Sequence, residues 1–389
     1  MIAEAASAAQ RSRDRRFMAI ALGLARSQLG LTSPNPSVGC VLVRAGKIVG
    51  RGATAAGGRP HAEAVALAEA GVRARGATAY VSLEPCAHQG KTPPCARALE
   101  KAGVARVVIG CVDRYPAVRG RGAAILRRAG IEVVVGVRED ECSALNEGFF
   151  TRVARGRPFG LLKLAMSLDG RIAAASGDSK WISSKESRAL VHRWRRECDA
   201  VIVGAGTVLA DNPRLTCRIA GGRDPIRVIV EARLRISPVA LALTEASAAG
   251  AIIVTTRANL VRARRRYAGP RVEVIAVARK GAGIDLASMA REFGRRGWNK
   301  ILFEGGAHLA GAALAAGIID RAAFFVAPKI VGAGVGAIEG LATARISQSI
   351  ALDDLSIRQV GADVLIEGRP KVRQGNPRPK RALVASVAW

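Results

Sequence analysis

The sequence predicts an α/β protein built as two successive domains, and three observations carry this. Its 389 residues exceed what a single core of ordinary size organises. Apolar runs of strand length alternate with stretches of helical spacing along almost the whole chain, the pattern of sheets covered by helices. The pattern also restarts after a basic, Gly- and Pro-containing linker, Arg152 to Pro158. The domains expected are therefore 1–150 and 158–368. A basic, Pro-containing tail, 369–389, is expected to be disordered.

Composition narrows the function classes. Hydrophobic residues make up 49% of the chain, ample for globular cores. No apolar run approaches the about 18 residues of a membrane span. Met1 to Arg16 is rich in Ala and Arg and lacks an apolar signal core, so secretion is not expected. Seven cysteines without framework spacing read as reduced thiols and metal ligands, which predicts a cytoplasmic protein. The net charge of +29 raises nucleic acid as a partner. It is spread, however, with +9 in residues 1–150 and +20 in the remainder, and aromatic residues are only 4%. Stacking platforms for single strands are scarce at that level. Scattered arginine, together with anionic phosphate substrates, is the reading favoured.

In the first domain Phe17, Ile20, Ala21, Leu24 and Leu29 recur at near-helical spacing and predict a helix over 13–29. Thr32 to Pro36 breaks it. Residues 38–43 form a buried strand, 45–47 a turn and 48–50 its hairpin partner. A helix over 62–75 and a strand over 78–83 follow. Pro94 suits a first helical turn and puts Cys95 near a helix N-terminus, where the dipole favours thiolate. Strands over 106–110 and 131–137, with a helix over 121–129 between them, complete a mixed or parallel sheet.

The chemistry of this domain sits in His61-Ala62-Glu63, Glu84-Pro85-Cys86 and Pro94-Cys95. His61, Cys86 and Cys95 supply one imidazole and two thiolates, the three protein ligands of a catalytic zinc site. Such a metal lowers the pKa of bound water from about 15.7 to about 7. Glu63, two residues past the histidine, suits proton transfer to a leaving amine. Zinc nucleobase deaminases share this division of labour, with H-x-E followed by P-C-x-x-C. Here eight residues separate Cys86 from Cys95. A structural zinc site closed by His88 would leave Glu63 and the T-P-P-C run unexplained; His88 reads as a loop side chain near the pocket. Cys40, Cys111 and Cys142 read as core.

Pro34 to Gly39 (P-N-P-S-V-G), the H-A-E and E-P-C motifs, and Lys91 to Cys95 (K-T-P-P-C) resemble the deaminase half of the bifunctional riboflavin-biosynthesis deaminase/reductases. The resemblance implies a cytidine-deaminase-like domain, with His61, Cys86 and Cys95 on Zn2+, Glu63 as the catalytic proton shuttle and Asn35 in a substrate loop. Two departures stand near the substrate. Thr54 replaces a frequent histidine, and Asp113-Arg114-Tyr115-Pro116 replaces D-P-N-P.

The second domain reads as strands near 159–166, 199–204, 226–230, 251–255, 272–277, 300–303, 322–326 and 363–367, with a further extended run through 171–173. Helices fit at 184–197, 284–296 and 308–316. This is a doubly wound pattern. Ile301 to Gly306 runs from a strand into a glycine turn, a junction that offers backbone N–H groups to a phosphate. Val203 to Thr207, followed by Asp211-Asn212-Pro213, is a second such junction. Lys163 lies inside an apolar run. Trp181 also fits simple core packing, and Arg195 a solvated charged face. His192 and His308 read as surface or cap residues.

Lys163 with Ser167 to Gly170, Gly177 to Ile182, Gly206-Thr207-Val208, Asp211 to Thr216, Glu304-Gly305-Gly306, Leu309-Ala310 and Ala327-Pro328-Lys329 resemble the reductase half of the same family. That half shares its fold with dihydrofolate reductase. The resemblance implies NADPH contacts at Ala165, Trp181, Thr207, Asp211 and the turn through Gly306, and substrate contacts at Ser179, Arg195, Leu215, Arg218 and Glu304. Arg195 and Arg218 suit a phosphate, which guanidinium matches in bidentate fashion. Glu231-Ala232 stands where the family usually has Asp-Ser, so a hydroxyl contact to the cofactor is expected to be missing.

The expected protein is a bifunctional hydrolase and oxidoreductase acting on a small pyrimidine ribonucleotide-type substrate. It works with Zn2+ and NADPH as a homo-oligomer, without nucleic acid or membrane. The rivals are a zinc-dependent nucleic-acid (tRNA) deaminase with an accessory domain, and a chain in which one half has decayed.

Overall fold

The computed structural model describes residues 2–89, 93–281 and 283–371, with side chains from residue 8 onward. The chain divides into two compact units between Arg155 and Gly156.

The first unit opens with α1 (Ile2–Ser27), which buries Phe17, Met18, Ala21, Leu22 and Ala25 along one stripe of helical spacing. Asp14 pins α1 to the sheet. Its carboxylate accepts from Arg106 Nη1 and Nη2 at 2.9 Å each and from Tyr80 OH at 3.0 Å. Strands β1 (Gly39–Arg44) and β2 (Lys47–Ala53) form a hairpin. Its turn, Ala45-Gly46, takes φ values of 48° and 75°, the positive pair that matches strand twist. Then come α2 (Ala62–Ala70), β3 (Thr78–Leu83), α3 (Cys95–Lys101), β4 (Arg106–Cys111), α4 (Arg121–Arg128), β5 (Glu132–Val135), α5 (Glu139–Leu145) and α6 (Glu147–Arg155).

The sheet order is β2-β1-β3-β4-β5. β1 is antiparallel to both neighbours, and β3, β4 and β5 are parallel. Two sequence boundaries shift. The helix expected over 62–75 is α-helical only to Ala70 and then tightens into a 3-10 turn over Gly71–Ala74. Residues 152–155, read as linker, close α6, whose Phe149 and Phe150 are buried.

The second unit runs β6 (Phe159–Ser167), β7 (Arg171–Ala174), α7 (Lys185–Glu197), β8 (Ala200–Gly204), α8 (Ala205–Asp211), β9 (Ile226–Val230), α9 (Leu241–Thr244), β10 (Ala251–Thr256) and α10 (Leu260–Arg266). It continues with β11 (Val272–Val277), the small pair β12 (Arg279–Lys280) and β13 (Gly283–Ile284), α11 (Leu286–Arg295), β14 (Lys300–Glu304), α12 (Ala307–Ala315), β15 (Arg321–Ala327), β16 (Gly334–Gly336), β17 (Leu352–Val360) and β18 (Asp363–Pro370). The main sheet is β11-β10-β9-β8-β14-β6-β15-β18-β17. It is parallel from β11 to β15, and β18 and β17 add an antiparallel edge.

Alternate strand residues feed two cores. Leu161, Val201, Val203, Ile229 and Leu302 face one side; Leu162, Leu164, Ile202, Val228, Ile301 and Phe303 face the other. Burial on both faces explains why these strands read as continuous apolar runs. Residues 369 and 370, assigned above to a disordered tail, complete β18. The rest of that tail, from residue 372, lies outside the described residues. Among the described residues no helix is long and apolar enough to cross a membrane.

Candidate functional site

In the first unit, His61 takes the N-cap position of α2 with extended backbone, and Glu63 sits in the first turn. Small residues let this happen. A Cβ at Gly52 would lie 2.1 Å from Ala62 O, and one at Gly50 would lie 2.3 Å from Ala66 O, so β2 accepts α2 at backbone contact. Cys86 leaves the C-terminal end of β3, and Cys95 opens α3 after Pro94. These elements bring the ligand atoms of His61, Cys86 and Cys95 within 4.8 Å of one another. His61 Nδ1 lies 3.7 Å from Cys86 Sγ and 3.4 Å from Cys95 Sγ, so it is the nitrogen that faces the sulfurs. The backbone N–H of Cys95 donates to Cys86 Sγ at 3.2 Å, as a helix N-terminus does for an anion.

The hydrogen bond from the Cys95 thiol, against the cost of burial, holds the Cys86 thiol down to about 4. That thiol-to-thiol hydrogen bond, distinct from the backbone one, pushes Cys95 upward. Glu63 is 4% exposed and stands outside the three-donor set. Burial, aided by the Cys86 charge, raises its carboxyl to about 7. One imidazole and two thiolates in a compact triangle fit zinc.

Around this centre, Asn35 Nδ2 donates to Gly58 O at 2.7 Å and lies 3.4 Å from His61 Nε2. His88 Nδ1 is buried without a partner among the described residues, and its ring meets Tyr115 edge-on at 6.0 Å. Of the K-T-P-P-C run, Lys91 and Thr92 lie outside the described residues. Thr54 is buried, its Oγ1 accepting from Val38 N at 3.1 Å, so it serves the backbone. Two acids named only as members of motifs have roles that the sequence did not show. Glu84 accepts from the N–H groups of Asp113, Gly120 and Ala123 at 3.2, 2.9 and 3.1 Å and so closes the start of α4 beside the cysteine loop. Asp113 is raised to about 7 by burial, with Glu84 and Cys86 adding to it. Capping by an acid just before Pro85-Cys86 had no signal at short range in sequence.

In the second unit Lys163, Arg195 and Glu304 come together at the C-terminal end of β14. Glu304, the last residue of β14, pairs in register with Lys163 on β6. Arg195 reaches it from the last turn of α7. Its Nε donates to Glu304 Oε1 at 2.5 Å, its Nη2 to Oε2 at 2.8 Å and its Nη1 to Thr216 O at 2.8 Å. Arg195 is 9% exposed, which overturns the solvated reading. Burial opposes ionisation of Glu304, but Arg195 more than offsets this and the carboxyl lies below its ordinary value. Half-buried Lys163 is pushed down by loss of water.

His192, read as a surface or cap residue, belongs to this cluster. Its Nδ1 accepts from Arg218 N at 3.2 Å, and burial with the Arg195 and Arg218 charges pushes it down to about 4. The Arg218 side chain is exposed. Leu215 is buried with φ 59°, turning the chain back beneath Arg195. Ser179 Oγ donates to Asp211 Oδ1 at 3.2 Å. Ala165 lies two residues beyond Lys163 on β6. Trp181 is 62% exposed with the Arg188 guanidinium 4.5 Å from its ring centroid, so core packing is excluded. Its carbonyl accepts from Lys329 Nζ at 2.6 Å. His308 is a surface residue, Nε2 3.1 Å from Glu339.

Gly305 and Gly306 take φ values of 86° and 78° before α12. A Cβ at Gly306 would lie 3.0 Å from Thr207 Oγ1. The glycine turn after β14 thus lies against the Thr207 side chain of α8, and its bare backbone before α12 fits a dinucleotide's pyrophosphate at a helix N-terminus.

Known proteins carry both halves. The family model for the RibD C-terminal domain matches residues 158–366, and that for the cytidine and deoxycytidylate deaminase zinc-binding region matches residues 11–111. The riboflavin biosynthesis protein RibD of Aquifex aeolicus is 40% identical over 91% of this chain and 97% of its own length. That of Escherichia coli is 39% identical over 91% and 98%. The crystal structure of the Thermotoga maritima diaminohydroxyphosphoribosylaminopyrimidine deaminase/5-amino-6-(5-phosphoribosylamino)uracil reductase superposes with a TM-score of 0.83. It is 37% identical and covers 93% of this chain and 100% of its own. These matches span both halves and set aside the nucleic-acid deaminase reading. The chain belongs to the RibD family of riboflavin biosynthesis, a zinc-binding deaminase domain followed by an NADPH-dependent reductase domain.

Proposed function

We propose that this chain carries out two successive steps on one nucleotide. The first unit hydrolytically deaminates 2,5-diamino-6-(5-phosphoribosylamino)pyrimidin-4-one. The second reduces the ribosyl group of the product to ribityl. The carrying observation is a buried Glu63 carboxyl beside a His61/Cys86/Cys95 donor set of which it is no part.

His61, Cys86 and Cys95 would hold zinc, which supplies a water acidified to about 7 when bound. Glu63, buried beside this donor set with its carboxyl raised to about 7, would take up the proton of the attacking water and hand it to the departing amine. Asn35 presents a polar group beside His61 for orienting the pyrimidine. In the second unit NADPH supplies the hydride. Ala165, Trp181, Thr207, Asp211 and Gly306 bind it; Ser179, Leu215, Arg218 and Glu304 bind the substrate. Arg218, exposed, is the guanidinium open to the substrate phosphate. Arg195 contributes by holding Glu304 in place.

The test is incubation with the diaminopyrimidine nucleotide, with and without NADPH, following ammonia release and NADPH oxidation separately. Glu63→Gln should abolish ammonia release yet still reduce the deaminated product. Loss of both activities in a folded variant would sink the assignment of separate sites.

We also propose a homo-oligomer joined through the edge strand β17, where Leu355 and Ile357 stand exposed. Light scattering reporting one 40.6 kDa chain per particle would refute this. All seven cysteines are free, which supports a cytoplasmic location testable by cell fractionation.

A further inference from the structure

Helices α5 and α6 follow β5, beyond the residues 11–111 matched by the zinc-binding region, and carry none of the site residues named so far. They nevertheless hold the loop that stands beside His61. Asn146, at the junction of the two helices, is 3% exposed and faces Ser37, which is 4% exposed. Its Oδ1 accepts from Ser37 N at 2.9 Å, and its Nδ2 donates to Ser37 O at 3.1 Å. Further along α6, Arg152 Nη2 donates to Pro34 O at 2.6 Å. The Arg152 guanidinium stands 5.6 Å from the ring centroid of buried Phe149, one helical turn back. One helix pair thus grips both ends of the Pro34–Ser37 loop, from 118 and 109 positions away along the chain.

Between the two anchors lies Asn35. Its N–H donates to Thr32 O at 2.9 Å, and its carbonyl accepts from Thr32 Oγ1 at 3.1 Å. Its side chain reaches Gly58 O and stands beside the His61 ring. This stretch belongs to no helix or strand, and Pro34 and Pro36 have no N–H to give. Its place is therefore set by what its remaining backbone groups meet. Asn146 takes both groups of Ser37, and Arg152 takes the carbonyl of Pro34. Accuracy matters at such a loop, since a shift of about 1 Å in an orienting group can cost about a hundredfold in rate.

We infer that Asn146 and Arg152 are positioning residues for deamination: they fix the Pro34–Ser37 loop and through it set Asn35 against the pyrimidine. This rests on the reading of Asn35 as the group that orients the pyrimidine. Steady-state ammonia release by the full chain tests it, with zinc retention against a chelator measured alongside. Arg152→Met should raise KM for the diaminopyrimidine nucleotide about tenfold and leave kcat within about twofold. Zinc retention should match wild type. Arg152→Lys, which keeps a donor for Pro34 O, should recover most of the loss. Asn146→Ala opens two buried bonds and also costs stability, so the half-buried Arg152 carries the decision. Because Arg152 acts through Asn35, the Asn35→Ala/Arg152→Met double variant should have a KM no higher than Asn35→Ala alone. An unchanged KM in Arg152→Met, additive losses in the double variant, or a fall in kcat together with zinc retention overturns the inference. Failure of the Asn35 reading looks different: Asn35→Ala would then itself leave KM unchanged.

Discussion

At the residue scale, the Arg195–Glu304 pair shows how a buried charge is kept. Neither group is more than 9% exposed, and each supplies the hydrogen bonds the other lost on leaving water. Glu304→Gln leaves Arg195 uncompensated and should cost about 3 kcal/mol in urea unfolding of the second unit at pH 7. The sign with pH follows from the depressed carboxyl. A lowered folded pKa contributes stability that is complete above the unfolded value of about 4.3 and is lost as pH falls through the lower folded value. The gap between wild type and variant should therefore close in acid; an equal gap at pH 3 and pH 7 would contradict the pairing. The two residues are 109 positions apart. Sequence motifs named both as substrate contacts, but only the fold shows that most of the Arg195 guanidinium is taken up by Glu304 and a carbonyl. His192 was read as a surface or cap residue for the same reason, since its neighbours are brought to it by α7 and the loop through Arg218.

At the scale of elements, the zinc ligands depend on how closely α2 lies on β2. Gly52→Ala would set a Cβ 2.1 Å from Ala62 O and 2.6 Å from Ala66 N, both backbone. The first turn of α2 must then move, and with it His61 and Glu63. Zinc affinity should fall about tenfold or more, as for other displaced metal sites, while NADPH oxidation on the deaminated product is unchanged. Zinc retention against a competing chelator reads this directly; full retention would show that the glycine contact is dispensable. The main strands of the second unit were legible because both faces are buried and apolar. β17 was not, because most of its residues are exposed and no apolar run marks it. α5 and α6 fall in an acidic and then mixed stretch whose apolar residues find partners only after folding.

At the scale of the molecule, each unit has a core drawn from its own residues: Phe17 to Phe150 in one, Phe159 to Leu365 in the other. Metal that binds only the folded first unit stabilises that unit by mass action. Chelation should therefore lower one calorimetric transition and leave the second in place. A single transition moving as a whole would show that the units unfold together.

What the sequence determined by itself is chemistry carried by neighbours along the chain: H-A-E, the two cysteine loops, the glycine turn after β14, and apolar strands that require a covered sheet. Residue type and short spacing suffice there, because a few bonds fix the geometry. What only the tertiary structure decided is where charges end up: Glu84 on the start of α4, Glu304 on Arg195, Glu231 turned inward onto the backbone of its own loop. Those outcomes depend on which strands lie side by side. Solvation and pairing energies are set by neighbours in space, and these side chains meet partners that local spacing does not predict.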